Sequence, residues 1–303
     1  MKLDVYVNQA WVGTLEQVEV NRYVFSYQAA VASSQMVSLL MPIRTESWVR
    51  ATLHPVFRVS LPEGVLRQLL TQKLAPHFDY FGDMELLSVV GAHLVGRINL
   101  AFEDMCAMLA LNAGDKFSGS VEKVIEKIAK FCPIDQRKAA LDQFYAQYLV
   151  CMTIRNGGAH LKNFGFIYSS THDVRLSPVF DMLSMSVYAP RAQNGDALDA
   201  PALSFGGVKR WFAQTNLSEL AGRCFVAPRF QAATSASLVS APLSVAQYVV
   251  TQTAAHPGFA PVAQRMLELW SYGCQIHSAD ASQQLKALAA SLSRTDPVLQ
   301  SPR

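Results

Sequence analysis

The stretch Arg155-Asn156-Gly157-Gly158-Ala159-His160-Leu161-Lys162-Asn163-Phe164-Gly165-Phe166, continued by Arg175-Leu176-Ser177-Pro178-Val179-Phe180-Asp181-Met182-Leu183-Ser184, decides how this chain is read. A helix runs into it: Leu141, Phe144, Tyr145, Tyr148, Leu149 and Met152 recur at helical spacing after Pro133. Gly157 and Gly158 are expected to stop that helix, because glycine loses the most backbone entropy there and readily takes left-handed conformations. Beyond them Phe164 to Tyr168 reads as a strand, Ser169 to Asp173 as a turn, and Val174 to Leu176 as the returning strand. The loop gathers His160, Lys162 and Asn163, and Asp181 follows the returning strand. Asp181 could also cap a following helix, since Asp is a favoured cap.

Outward from this unit, Ser120 can cap a helix whose apolar face is Val121, Val124, Ile125, Ile128 and Phe131. Asn99 can cap an earlier one carrying Met105, Met108 and Leu109. The first hundred residues alternate instead. Leu3, Val5 and Val7 read as a strand, Asn8-Gln9 as a break, and Trp11 to Leu15 as a hairpin return, with Tyr23, Phe25 and Tyr27 in a further β-rich stretch. From Pro62 the period turns helical, with Val65, Leu66, Leu69 and Leu70 on one face, and Glu85 to Val90 suits another helix. Gln231 to Gln264 contains no Asp, Glu, Lys or Arg and is expected as buried helix; Ser293 to Arg303 reads as a loose tail. The expected fold class is α+β: a small mixed α/β N-terminal subdomain, residues 1–98, and a mainly α-helical domain, residues 99–303.

Half of the 303 residues are hydrophobic and 16% are charged, a globular composition that excludes disorder. A net charge of +3 does not by itself point to nucleic acid. Five cysteines, Cys106, Cys132, Cys151, Cys224 and Cys274, form no CxxC pair, which excludes the usual zinc and redox motifs. They are expected reduced, as small buried hydrophobes. Asp4 stands where a signal peptide needs its apolar stretch, and no apolar run is long enough for a membrane span. A cytoplasmic protein without membrane contact is expected.

The loop also holds the residue types that phosphoryl transfer uses. An Asn and a later Asp coordinate magnesium, and a loop Asp five positions before the Asn orients the attacking hydroxyl. Five positions before Asn163 stands Gly158.

In these motifs the chain resembles the HipA family of toxin Ser/Thr kinases. NGGAHLKNF (156–164) stands where the family carries an N-G-D-A-H-L-K-N-F-type catalytic loop, and LSPVFD (176–181) where it carries an L-x-P-x-Y-D-type metal motif. VYVNQAWVGTL (5–15), VSLLMPIR (37–44), SLPEGVLRQLL (60–70), ELLSVVGAHLVGRI (85–98) and FEDMCAML (102–109) extend the likeness in order along the chain. The resemblance implies a kinase C-lobe-like domain over 99–303. Gly158, His160 and Lys162 occupy catalytic-loop positions, Asn163 and Asp181 the metal positions, and Mg²⁺ and ATP are the family's cofactors. It also implies a small helix-turn-helix antitoxin as partner, which binds the operator DNA.

Two departures set the expected function. Gly158 occupies the position of the catalytic Asp, and between Arg97 and Ala101 the chain lacks the ATP-binding N-lobe that the family carries there. No glycine-rich phosphate loop or VAIK-like strand occurs elsewhere. The expectation is a degenerate kinase of a toxin–antitoxin system, holding neither ATP nor Mg²⁺ tightly and with no cofactor-binding residues of its own, that acts through protein binding. An apolar face beside Asn163 and Asp181 would then serve a homodimer or another partner. The alternative is an active or complementable kinase of a translation protein such as an aminoacyl-tRNA synthetase.

Overall fold

Alternation in the first residues builds an antiparallel meander. Strands β1 (Lys2–Val7), β2 (Ala10–Glu19), β3 (Arg22–Tyr27) and β4 (Trp48–Arg50) pair in chain order, with Leu3 opposite Leu15 and Leu15 opposite Phe25. The computed structural model describes residues 1–8, 10–59, 61–90, 101–191 and 197–293. The boundary expected at 98/99, the cap expected at Asn99 and the tail beyond 293 lie outside these residues. Contacts divide the chain into two compact units: Met1–Gly119 with Glu126–Ala140 and Leu161–Pro178, and Ser120–Ile125 with Leu141–His160 and Val179–Arg303.

In the first unit one face of the meander packs on α1 (Pro55–Arg58) and α3 (Asp83–Val90). Val12, Leu15, Phe25, Val37, Met41, Leu53, Met84 and Leu86 form the dry core between them. Helix α2 (Gly64–Leu74) forms where its period predicts it, but Val65, Leu66 and Leu69 face water, while Leu70 and Leu74 pack on the core. An ion pair accompanies this rotation. Arg67 Nη2 lies 2.6 Å from Asp83 Oδ1, and Arg67, Leu70 and Leu74 share one helical stripe.

A second sheet of this unit joins β5 (Ala101–Asp104), β6 (Gly165–Ser170) and β7 (Asp173–Leu176), all antiparallel. The helix expected to carry Met105 and Met108 is here a single turn, α4 (Met105–Met108), preceded by strand. Asp104 caps it, Oδ1 accepting from the Ala107 N–H at 2.8 Å. β5 lies so close to β6 that a Cβ on Gly165 would stand 2.6 Å from Glu103 O.

Glu103, fully buried, fixes this sheet to the loop between β3 and β4 of the meander. Oε1 accepts from the Leu39 N–H at 2.8 Å and the Tyr168 hydroxyl at 2.5 Å, and Oε2 accepts from Ser38 Oγ at 2.8 Å.

Helices α5 (Val121–Phe131) and α6 (Ile134–Thr153) form as their periods predict, and Ser120 Oγ accepts from the Lys123 N–H at 3.3 Å as the expected cap. The second unit also carries the helices α7 (Gln214–Arg223), α8 (Pro228–Ala255), α9 (Ala260–Cys274) and α10 (Ala279–Ser293). The uncharged stretch 231–264 is thus two helices parted around Pro257–Phe259. It is also less buried than expected, since α8 buries only the stripe Leu238, Pro242, Ala246 and Val249. A lack of charge is not strong hydrophobicity, and Ala, Ser, Thr and Gln tolerate water. Ala246, Leu267, Trp270, Cys274 and Leu285 form the core among α8, α9 and α10.

All five cysteines are buried and free, as expected. No helix among the described residues is long and apolar enough to cross a membrane. The α+β class agrees with the expectation, with small antiparallel sheets toward the N-terminus and helices toward the C-terminus.

Replacing Glu103 with Ala strands two hydroxyls and a backbone N–H in a dry core. Urea unfolding is expected to show a loss of about 3 kcal/mol or more, and a smaller loss for Glu103→Gln. Two histidines set an acid limit. Burial lowers His54 from 6.5 to about 3 and His277 to about 4, so both rings are neutral in the fold. Below pH 6.5 the unfolded chain binds protons that the folded chain does not. Stability present above that pH is therefore lost as pH falls toward 4. Melting scans across this window should show the loss, and His277→Gln should flatten it.

Candidate functional site

Helix α6 delivers the chain to the loop through a left-handed residue, Arg155, with φ 56°. Thr153 Oγ1 donates back to Leu149 O at 2.8 Å, and the Asn156 N–H reaches Cys151 O at 2.8 Å, which closes the last turn. The stop expected at the two glycines is thus made one step earlier, and neither Gly157 nor Gly158 has positive φ. Burial pushes the Arg155 guanidinium down to about 10, and it lies over the Trp211 ring, 4.8 Å from the centroid.

Gly157 is required for space. A Cβ there would stand 2.1 Å from Asp199 Oδ2, so the carboxylate fills the volume of the missing side chain. Asp199 is held by Ser186 Oγ, which donates to Oδ2 at 2.5 Å, and by the Ala200 N–H, which donates to Oδ1 at 2.9 Å. Its backbone oxygen accepts from Trp211 Nε1 at 3.2 Å.

Asn156 joins the two motifs. Its side chain is 1% exposed; Oδ1 accepts from the Gly158 N–H at 3.1 Å, and Nδ2 donates to the Asp181 carbonyl at 3.3 Å. Asp181 is exposed, holds a left-handed φ of 55° and caps no helix, because the segment after it stays irregular as far as Ser184. The Gly158 carbonyl accepts from the His160 N–H at 2.7 Å. A Cβ on Gly158 would meet only Met185 Cγ at 3.0 Å and Asn156 Oδ1 at 3.3 Å. A side chain fits there with a small shift of Met185, but glycine supplies no group to take or orient a proton.

Gly158, His160 and Asp181 belong to the second unit, Lys162 and Asn163 to the first. In the first unit Leu161 is buried, its N–H donates to Lys116 O at 3.1 Å, and it packs where a Cβ on Gly119 would come within 2.5 Å of its side chain. So anchored, Lys162 forms an ion pair with Glu63, whose other oxygen lies 3.8 Å from Lys116 Nζ. Asn163 follows, half-buried, in the same short turn. Asn163 and Asp181, the expected metal positions, each carry an oxygen of the hard kind that Mg²⁺ takes, and fall in different units. Among the described residues no three or more His, Cys, Asp or Glu gather as a metal site.

Asn156, Asp199 and Glu63 escape the sequence reading. Asn156 stands in the quoted stretch with no role read for it, Glu63 stands in the family-like segment SLPEGVLRQLL without being singled out, and Asp199 is remote from the loop with no motif to mark it.

The HipA N-terminal domain model matches residues 3–101, and the HipA-like C-terminal domain model matches residues 74–254. The chain belongs to the HipA family. A comparison with curated proteins gives no match. Among solved structures, the HipA, HipB and operator DNA complex of the Shewanella oneidensis MR-1 toxin–antitoxin system is similar at 12% identity and a TM-score of 0.36. The similarity covers 63% of this chain and 43% of that one, so the chain spans less than half of that HipA structure's length.

Gly157→Ala should drive Asp199 out of its place and cost about 1–3 kcal/mol, as overpacking does. Asp199→Ala vacates the same space. In a double-mutant cycle the pair should therefore lose markedly less than the sum of the single changes, read from denaturation midpoints.

Proposed function

We propose that this chain is a HipA-like toxin–antitoxin protein, degenerate as a Ser/Thr protein kinase, that acts mainly by binding another protein. The surface beside Asp181 carries this reading. Within ten residues Val179, Phe180, Leu183, Met185 and Tyr188 are all exposed. The backbone beneath them is held by α9: Trp270 Nε1 donates to Ser184 Oγ at 2.7 Å, and Arg265 Nη2 donates to Ser186 O at 3.3 Å and to Ala189 O. Large apolar side chains on a fixed backbone favour an interface, because docking them removes apolar area from water and orders little that was free.

Membership of the HipA family makes a small helix-turn-helix antitoxin the proposed partner, with DNA reached only through it, in the cytoplasm. Catalysis is not part of the reading. Position 158 offers no carboxylate, and help from a general base is worth about 10²–10⁴-fold. The sequence also contains no glycine-rich phosphate loop and no strand lysine to hold ATP, which supports weak binding of nucleotide and Mg²⁺.

Millimolar Mg²⁺-ATP should leave the melting temperature unchanged, whereas a ligand at 100 times its dissociation constant would add about 2.7 kcal/mol. Gly158→Asp has room to fold and should incorporate no labelled phosphate into itself or a generic substrate. Co-expression with a small helix-turn-helix antitoxin should give a stable complex on size exclusion, lost in Leu183→Asp and Tyr188→Asp. A clear ATP-dependent rise, or robust labelling by the Gly158→Asp protein, would establish the kinase reading instead.

A further inference from the structure

Arg155 carries three features that each work against stability. Its backbone is left-handed, with φ 56°, at a helix end where glycine or asparagine is the ordinary occupant. Burial lowers its guanidinium to about 10. Among the described residues that guanidinium has no carboxylate or carbonyl to donate to: it stacks on the Trp211 ring, and Nε is enclosed without an acceptor. A ring face offsets part of the charge but takes none of the N–H bonds in the guanidinium plane. The nearby carboxylate of Asp199 is turned to Ser186 and to the Ala200 N–H instead.

The same residue is tied to the partner surface. Its carbonyl accepts from the Ser186 N–H at 3.1 Å, which joins it directly to the segment that exposes Leu183, Met185 and Tyr188. The Tyr272 phenol lies near enough to act on the guanidinium. That ring is half-exposed and has the Lys286 ammonium 5.5 Å from its centroid. We propose that Arg155 is the charged anchor of the partner surface, taking an Asp or Glu carboxylate that the bound protein sets among its apolar contacts. This rests on the reading of that surface as a protein interface. A carboxylate fits because it is planar, accepts two parallel N–H bonds from a guanidinium and cancels its charge. An uncompensated buried charge lowers stability, and such a residue persists where function uses it.

The test uses the full chain and its Arg155→Met variant, which keeps an unbranched side chain and removes the charge. In the free protein this change should leave the melting temperature unchanged or raise it, because no acceptor of this chain is lost. Affinity for the helix-turn-helix antitoxin should fall at least about tenfold. Arg155→Lys should restore only part of it, since an ammonium cannot make the paired bonds. Acetate supplies the carboxylate without a partner. At equal ionic strength, acetate in place of chloride should raise the melting temperature of the wild type more than that of Arg155→Met, and phosphate should show no such difference. Leu183→Asp should abolish the complex yet keep the acetate difference, which separates failure of the apolar surface from failure of the anchor. A clear fall in the melting temperature of free Arg155→Met, an unchanged affinity for the antitoxin, or an equal acetate effect in the two proteins would each overturn the proposal. So would a phosphate effect as large as that of acetate.

Discussion

The first unit depends on one buried carboxylate. Glu103 has no solvent, yet it accepts from a tyrosine hydroxyl, a serine hydroxyl and a main-chain N–H drawn from separate stretches of the chain. A carboxylate in a dry core is costly unless it is surrounded by donors, and each of these donors would in turn be left unsatisfied without it. Residues 38 and 39 lie in the connection between β3 and β4 of the N-terminal meander, while Tyr168 lies on β6, which follows the loop 156–164. This polar tie therefore holds the N-terminal core in register with the strand that starts just beyond Asn163. Apolar packing alone would not specify that register, since it is tolerant of sliding whereas three directed hydrogen bonds are not.

In the second unit the loop that gives the family its signature is held by polar packing. Asn156 spends both ends of its amide on backbone groups, one in the loop and one at Asp181. Asp199 lies against Gly157 and is satisfied by Ser186 and Ala200. These contacts hold Gly157 and Gly158 in one defined loop conformation. Buried hydrogen bonds and steric fit set that conformation, whatever side chain stands at position 158.

Much of the architecture is legible in the residues. The first three strands of the meander, α5 with its serine cap, α6 and the β6–β7 hairpin all follow from period, turn chemistry and cap preference, which act within a few residues of one another. Errors arise where a distant partner decides. The stretch before Met105 pairs with β6 and so becomes strand, and α2 turns Val65, Leu66 and Leu69 to water because Leu70 and Leu74 take the core contacts. Helix α8 is helical as read, yet largely exposed, because whether a neutral surface is covered depends on the neighbours available to it.

The α+β class, the order of most elements, the likeness to the HipA family and the glycine at position 158 can all be read from the residues alone. Each of these is written in local pattern or in residue identity. Only the tertiary structure decided which distant side chains complete the site. It assigned Asp199 to the space at Gly157, Asn156 to the link between loop and Asp181, and Glu63 to Lys116 and Lys162. Side-chain pairing across tens of residues is set by how elements pack, and no periodicity in the chain encodes it.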